Sequence, residues 1–104
     1  MKIEWSEQSR NDLYDILSYV VEIFGRRTAE LVLAEIRSRA DLLRNFPVSG
    51  RVFVKDTELG ITYRAVTTKL NKIVYFIDDD KTIIIVAVWQ NRQDINRLKK
   101  KLTE

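Results

Sequence analysis

The sequence lacks cysteine and histidine altogether, although it is 104 residues long. Without cysteine the chain has no disulfide, no thiol nucleophile and no zinc–thiolate site. Without histidine it loses the side chain that most often serves as a general base or a metal ligand. These two absences exclude a Ser-His-Asp hydrolase and a histidine-based metalloenzyme. Any proton transfer would have to use Lys, Arg, Tyr, Asp or Glu.

Proline, glycine and long apolar runs are also scarce. One proline and three glycines punctuate the chain, so we expect short connections rather than long loops. No stretch approaches the roughly 18 apolar residues of a membrane helix, and no apolar signal segment follows Met1, which predicts a soluble cytoplasmic protein. The length predicts a single domain over residues 1–104, and an apolar fraction of 45% allows a packed core without a metal or a cofactor.

The first half of the sequence has the periodicity of two amphipathic helices. Lys2–Trp5 alternates polar and apolar side chains and predicts a short strand, after which Ser6 is a suitable N-cap. Helical spacing predicts two apolar stripes, one on Leu13, Ile16, Leu17, Val20, Val21 and Phe24, and one on Ala29, Val32, Leu33, Ile36, Ala40 and Leu43. Gly25 is expected to end the first helix, Thr28 to cap the second and Pro47 to stop it. A connection of about three residues indicates an antiparallel helical hairpin.

The second half changes to the two-residue period of β-strands. Strands are predicted at 51–54, 61–68, 72–77 and 82–89, separated by turns at 56–60, 69–71 and 78–81. The acidic tip Asp78–Asp80 lacks the spacing of a calcium loop, so we interpret it as a solvated hairpin rather than as a metal site. The β-branched run of the last strand indicates a central strand covered on both faces. A short charged helix from Asp94 to Leu102 completes an α+β fold, in which an N-terminal strand and a two-helix hairpin pack on an antiparallel sheet meander.

Positive charge is concentrated in the second half of the chain. Residues 1–46 carry 7 basic and 8 acidic side chains, whereas residues 47–104 carry 11 basic and 7 acidic ones. The second half is therefore either the surface for a polyanion or an acidic partner, or a solvated basic face. Within it, Arg51, Arg64, Lys72 and Arg92 begin, occupy or follow predicted strands, so they could converge on one edge or face of the sheet. Arginine suits phosphate, and the alternative is a structural salt bridge such as Arg92 with Asp94.

Four segments form a series that spans almost the whole chain. They are I-E-W-S-E-Q-S-R-N-D-L at 3–13, N-F-P-V-S-G-R at 45–51, G-I-T-Y-R at 60–64 and K-I-V-Y-F-I-D-D-D-K-T-I-I-I-V-A-V-W-Q-N-R-Q-D at 72–94. In this order and spacing they resemble the RelE/ParE toxins of bacterial type II toxin–antitoxin systems, whose fold agrees with the predicted order of elements. The resemblance implies a small growth-inhibiting toxin that is neutralised by an antitoxin encoded beside it.

The resemblance also implies one of two targets. Some members of the family cut messenger RNA in the ribosomal A site, and others inhibit DNA gyrase without a hydrolytic activity of their own. Matched to the mRNA-cutting members, Arg64, Lys72 and Arg92 fall on or near basic catalytic positions, where they would stabilise the charge of a pentavalent phosphate. The residues predicted to contact the target are Arg51, Lys55, Lys69 and Trp89.

Departures from the pattern of the mRNA-cutting toxins favour the gyrase-directed type. Val66 occupies the second basic position of its strand, two residues after Arg64, and cannot take a proton. No tyrosine follows Arg92, and no histidine is present for the chemistry that other members use. The N-terminal half and the F-P-V-S-G-R segment resemble ParE. We therefore expect a ParE-like gyrase inhibitor, with a RelE-like ribosome-dependent endoribonuclease as the alternative and an inactivated family member as a third hypothesis.

The polar cluster V-W-Q-N-R-Q-D at 88–94 ends the last predicted strand. Trp89 is expected to cap the core, Arg92 to project toward the target, and Asp94 to cap the last helix or to orient Arg92. A cationic sheet face and apolar grooves beside the helical hairpin would suit an extended, acidic antitoxin segment that folds on binding. Charge complementarity would speed that association.

Overall fold

The computed structural model describes residues 1–79 and 81–91, which form two helices against one face of a five-stranded sheet. The helices are α1 (Glu7–Phe24) and α2 (Arg26–Asp41), and a 3-10 turn follows at Leu42–Arg44. The strands are β1 (Lys2–Trp5), β2 (Arg51–Asp56), β3 (Ile61–Thr67), β4 (Asn71–Asp78) and β5 (Thr82–Gln90), in the sheet order β1-β5-β4-β3-β2. The predicted α+β fold is confirmed. The predicted C-terminal helix over residues 94–102 lies outside the described residues.

The first helix begins and ends where the sequence predicts. Ser6 Oγ accepts a hydrogen bond from Ser9 N at 3.1 Å, which satisfies one of the free amides of the first turn. At the other end, Gly25 N donates to Val21 O at 3.0 Å while Gly25 adopts a φ of 93°. This left-handed conformation is strained for residues with a side chain, so glycine is the residue that fits the junction.

The predicted start of the second helix is wrong. α2 begins at Arg26 rather than after Thr28, because Gly25 O already accepts a hydrogen bond from Ala29 N at 3.2 Å. One glycine therefore closes α1 and opens α2, in place of the expected three-residue connection. Neither helix is long and apolar enough to cross a membrane in the described part of the chain.

The sheet contains the predicted antiparallel meander and one parallel pair. β2, β3, β4 and β5 pair antiparallel in sequence order. The N-terminal strand β1 adds to the outside of β5 in parallel, with Lys2 opposite Thr82 and Trp5 opposite Ile85. The strand bounds differ from prediction by two residues or fewer at each end. β2 reaches Asp56 because the Asp56 carboxylate closes the following turn by accepting two backbone N–H bonds, each 3.1 Å long.

The two faces of the sheet are covered unequally. On the helix face, α1 and α2 cover a core that includes Ile83 and Ile85, both fully buried. The second face carries a smaller cluster around Tyr63, Val74 and Ala87. The last strand was predicted to be covered on both faces, yet Ile84, on the second face of β5, is only half-buried. The reason is that both described helices pack on the same face.

Candidate functional site: a cationic groove at the start of β2

The loop that leads into β2 is fixed by one tyrosine. Tyr75 Oη donates a hydrogen bond to Pro47 O at 2.7 Å and accepts one from Gly50 N at 3.0 Å. Burial raises the pKa of the Tyr75 phenol, although the Gly50 hydrogen bond and the charges of Arg64 and Arg39 oppose this rise. Gly50 has no room for a side chain, since a Cβ there would lie 2.6 Å from Tyr75 Oη. The tyrosine thus sets where Arg51 enters the sheet.

Arg64 holds the same loop from the neighbouring strand. Its Nη1 donates to Gly50 O at 3.0 Å and to Val48 O at 3.5 Å. Arg64 stands opposite Tyr75 in the β3–β4 ladder, so both side chains lie on the helix face. Two residues further along β3, Val66 is 3% exposed and belongs to the main core. The position at which the family resemblance places a second basic residue is therefore part of the packing in this chain.

A groove of about 520 Å³ opens where β2 begins. We call it the cationic groove, and it is lined by Arg39, Ser49, Arg51, Val52, Phe53, Ala65, Val66, Thr67 and Lys72. Three of these side chains are cations and two carry hydroxyls, and none of the described lining residues is acidic. Like charges that share one concave surface raise the local positive potential. The groove therefore favours an anionic ligand.

Lys72 reaches the cationic groove from the second face of the sheet. Its Nζ lies 5.5 Å from the centre of the Phe53 ring, within the range of a cation–π interaction. Lys72 stands opposite Trp89 in the β4–β5 ladder, and Trp89 packs against the second-face cluster. The Trp89 Nε1 is buried without a hydrogen-bond partner in the described chain. Trp89 thus caps the smaller cluster of the second face.

The predicted site residues converge only in part. Arg51 and Lys72 line one groove, whereas Arg64 lies on the opposite face of the sheet and reaches the groove only through the loop that it holds. Lys55 stands at the far end of β2, opposite Thr62. Lys69 lies in the β3–β4 turn, where its backbone N–H is bound by the Glu35 carboxylate at 2.7 Å. Arg92 and Asp94 lie outside the described residues.

Arg39 is a site residue that sequence reasoning missed. It extends from α2 into the cationic groove, and its charge also acts on the Tyr75 phenol. A signal for it existed, because Arg39 follows Ile36 by three residues and precedes Ala40, both of which are buried. A cation at this spacing borders the apolar stripe of the helix and so lies near the boundary between helix and sheet.

The cationic groove has the chemistry of an anion-binding site. Guanidinium, ammonium and hydroxyl groups all donate hydrogen bonds to phosphate or carboxylate oxygens. A general base would have to be a carboxylate or a neutral amine, and the described lining offers only Lys72 for that role. Binding through charge needs no such group.

Two helices on one face of a sheet of this order agree with the fold expected of the RelE/ParE superfamily of toxins. Within it, the chain belongs to the ParE toxin family, since residues 3–95 match the family model described as ParE toxin of type II toxin-antitoxin system, parDE. The resemblance seen in the sequence is thereby confirmed. The chain is the toxin of a type II toxin–antitoxin system, and a cognate antitoxin is its partner.

One solved structure supports the same fold. The chain is similar to a chain of the chromosomal ParDE toxin–antitoxin system from P. aeruginosa, with a TM-score of 0.72 and 19% sequence identity. The match covers 86% of this chain and 95% of that one. At this identity the likeness concerns the fold alone. A search of curated proteins finds no match.

Proposed function

We propose that this ParE-family toxin acts in the cytoplasm by inhibiting DNA gyrase, and that the antitoxin keeps it inactive. The observation that supports this target best is the lining of the cationic groove, which offers three cations but no carboxylate among its described residues. Such a surface can bind a negatively charged partner through charge complementarity alone. It is less suited to activating a ribose hydroxyl, which requires a group that accepts a proton.

The positions of the predicted catalytic residues support the same proposal. Arg64 donates to two backbone carbonyls of the loop before β2, and Val66 is buried in the core. A nuclease of the RelE type would need these strand positions to present basic groups to the phosphate. In this chain they stabilise the loop and the core instead. Arg51, a predicted contact to the target, shares the groove with Lys72 and Arg39, and we propose that these three cations contact the target.

Pulse labelling after induction of the toxin without antitoxin tests the target. We expect DNA synthesis to stop first while protein synthesis continues. Purified toxin should also inhibit supercoiling by purified gyrase. The double variant Arg51→Ala/Lys72→Ala should need about tenfold more protein for the same inhibition, because it removes two of the three cations of the groove.

Lys55→Ala is the matched control for these variants. Lys55 is exposed and also belongs to β2, but it stands at the end of the strand away from the groove. It removes one positive charge, as Lys72→Ala alone does, so an equal loss in these two single variants would mean that net charge rather than the groove matters. Full supercoiling activity in the presence of excess wild-type toxin would contradict the gyrase proposal.

A ribosome-dependent endoribonuclease is the second candidate. The observation that favours it is the meeting of Arg51 and Lys72 in one groove, which is a suitable place for a phosphodiester. Primer extension on messenger RNA from induced cells would then reveal cuts within translated codons. Arg64→Ala, Lys72→Ala and Arg92→Ala should abolish those cuts while the fold survives. Induction without any effect on growth would instead indicate an inactivated family member.

A further inference from the structure

A second groove, whose lining shares no residue with the cationic groove, holds a polar atom without a partner in the described chain. We call it the Asn71 groove. It has a volume of about 260 Å³ and is lined by Ile16, Tyr19, Val20, Phe24, Val32, Lys69, Leu70, Asn71, Gln90 and Asn91. Helix α1 supplies four of its ten described lining residues, and the turn before β4 and the end of β5 close it. Six of its ten described lining residues are apolar or aromatic.

Asn71 is the unusual member of this lining. Asn71 is 3% exposed, and its Oδ1 is buried with no hydrogen-bond partner in the described chain. Its backbone is fully engaged, because Asn71 N is bound by Thr68 Oγ1 at 3.0 Å and Asn71 O accepts from Thr68 N at 2.8 Å. The side-chain oxygen is therefore left over from the turn. An unpaired acceptor in an apolar wall is costly unless something donates to it.

The mouth of the Asn71 groove is rich in exposed apolar surface. Tyr19 is 51% exposed, Phe24 64% and Leu70 58%. Large exposed apolar patches with a polar border are typical of protein–protein contacts. The only charged residue of the described lining is Lys69, whose ammonium group has no ion pair within residues 1–79 and 81–91. The groove thus combines apolar walls, one buried acceptor and one cation at the border.

We propose that the Asn71 groove binds an apolar segment of the antitoxin, which donates a hydrogen bond to Asn71 Oδ1 and places a carboxylate near Lys69. This proposal rests on the assignment of the chain as the toxin of a toxin–antitoxin pair. Apolar burial supplies the affinity, and the buried acceptor makes the contact selective. A segment without a donor at that point leaves the oxygen desolvated and unpaired, and is discriminated against.

Calorimetric titration with the purified antitoxin encoded beside this toxin tests the contact. Asn71→Leu replaces the buried oxygen by an apolar group of similar size, and we expect it to raise the Kd about tenfold, because the antitoxin donor loses its acceptor. Without antitoxin, the same variant should unfold at the same or a higher denaturant concentration, since it removes a buried unpaired group. Weaker binding together with undiminished stability is not expected of a residue with a merely structural role.

Leu70→Ser and Phe24→Ser test the groove itself, and Leu59→Ser is their control. Leu59 is 70% exposed and lies in the turn between β2 and β3, outside the groove. We expect the two groove variants to raise the Kd by about tenfold or more, and the control to leave it within about twofold. Lys69→Ala should leave the free energy of unfolding unchanged. It should reduce the salt dependence of the Kd for the antitoxin.

Several results would overturn the proposal. Unchanged affinity of Asn71→Leu would mean that the antitoxin supplies no donor and that an ordered water pairs with Oδ1. Unchanged affinity of Leu70→Ser and Phe24→Ser would place the antitoxin elsewhere while leaving the toxin assignment intact. A change of self-association in light scattering would identify a second copy of this chain as the occupant. Loss of stability in Leu70→Ser without antitoxin would mean that the chain fills the groove itself. If wild-type protein does not bind the antitoxin at all, the toxin–antitoxin assignment fails instead.

Discussion

The two faces of the sheet use their cations in different ways. On the helix face, Arg64 donates to the carbonyls of Gly50 and Val48 and so holds a loop. On the second face, Lys72 lies over the Phe53 ring at the border of a groove that contains no described acidic residue. A cation bonded to the backbone contributes to stability, whereas one at an open groove is available to a partner. The same residue type thus has a structural role on one face and a candidate binding role on the other.

The largest expected difference between the faces is in packing. Ile85 is fully buried under the helices, whereas its neighbour Ile84 is half-buried on the second face. Ile85→Ala should lower the free energy of unfolding by about 2–5 kcal/mol, because it leaves a cavity that the helices cannot close. Ile84→Ala should cost less than half as much. Denaturant titration of both variants measures the difference, and equal losses would show that the second face is packed as tightly as the first.

The next effect concerns the loop that the helix face holds in place. Gly50→Ala puts a Cβ 2.6 Å from Tyr75 Oη and 3.0 Å from Ala65 O. We expect a loss of about 1–3 kcal/mol in the free energy of unfolding, because the backbone of β3 limits how far the loop can retreat. Gly60→Ala is a contrast rather than a matched control, because its Cβ meets no atom within 4 Å and its loss reports only the backbone strain of a φ of 68°, which Gly50 does not have. A Gly50 variant as stable as wild type would mean that the loop is not fixed by Tyr75.

A smaller effect is expected when only the hydroxyl of Tyr75 is removed. Tyr75→Phe leaves Gly50 N and Pro47 O without their partner at distances of 3.0 and 2.7 Å. The free energy of unfolding should fall by about 1–2 kcal/mol, and inhibition of the target should also weaken because Arg51 loses its fixed position. Chemical denaturation and the gyrase assay measure the two effects. A loss of stability with full inhibition would mean that the position of the loop does not affect binding at the cationic groove.

The tyrosines also predict a dependence on alkaline pH. Burial raises the pKa of Tyr75 above 10.0, and burial together with the charge of Asp56 raises the pKa of Tyr63. The folded protein therefore holds these protons more tightly than the unfolded chain does, so the stabilisation is fully present below pH 10 and is lost as the pH rises through the raised values. Tyr75→Phe should lose less stability above pH 10 than wild type, and Tyr63 accounts for the remainder. If the free energy of unfolding falls equally steeply with pH above 10 in wild type and in Tyr75→Phe, this assignment is contradicted.

The smallest expected effect on stability is that of Lys72→Ala. It removes one cation–π contact at the border of a groove, which is worth about 0.5–1 kcal/mol. Arg64→Ala should cost more, because it leaves two carbonyls without their donor. For binding of the target the order should be the opposite, and Lys72→Ala should lose more affinity than Arg64→Ala. Thermal unfolding and inhibition assays of the same two proteins decide whether the faces differ in role.

The strands and helices could be predicted from the sequence, but the faces of the sheet could not. A turn at 69–71 would pair Thr68 with Lys72 and would place Arg64 on the face of Lys72. The observed ladder pairs Thr67 with Lys72 instead, and this shift of one residue moves Arg64 to the other face. Periodicity identifies a strand within a residue or two, yet the grouping of charged side chains depends on that last residue.

Contacts between distant segments were likewise beyond the sequence patterns. The loop before β2 has its shape because of a phenol 25 residues further along the chain, which bonds Gly50 N. No sequence pattern assigned a role to Gly50, whereas in the structure it leaves space for Tyr75. Similarly, the stripe of α2 places Arg39 near the boundary between helix and sheet, but it does not show that Arg39 reaches β2 and β3. Hydrophobic periodicity reports which side of an element is buried and not which side chain lies opposite.

The parallel pairing of β1 with β5 has a consequence for how the toxin is made. The first strand of the chain finds its partner, Thr82–Ile85, only after the rest of the sheet has been synthesised. Until β5 is made, the side of α1 that packs on it has no strand to contact, and the nascent chain exposes that side to solvent and to chaperones. The fold therefore forms late, after most of the chain has left the ribosome.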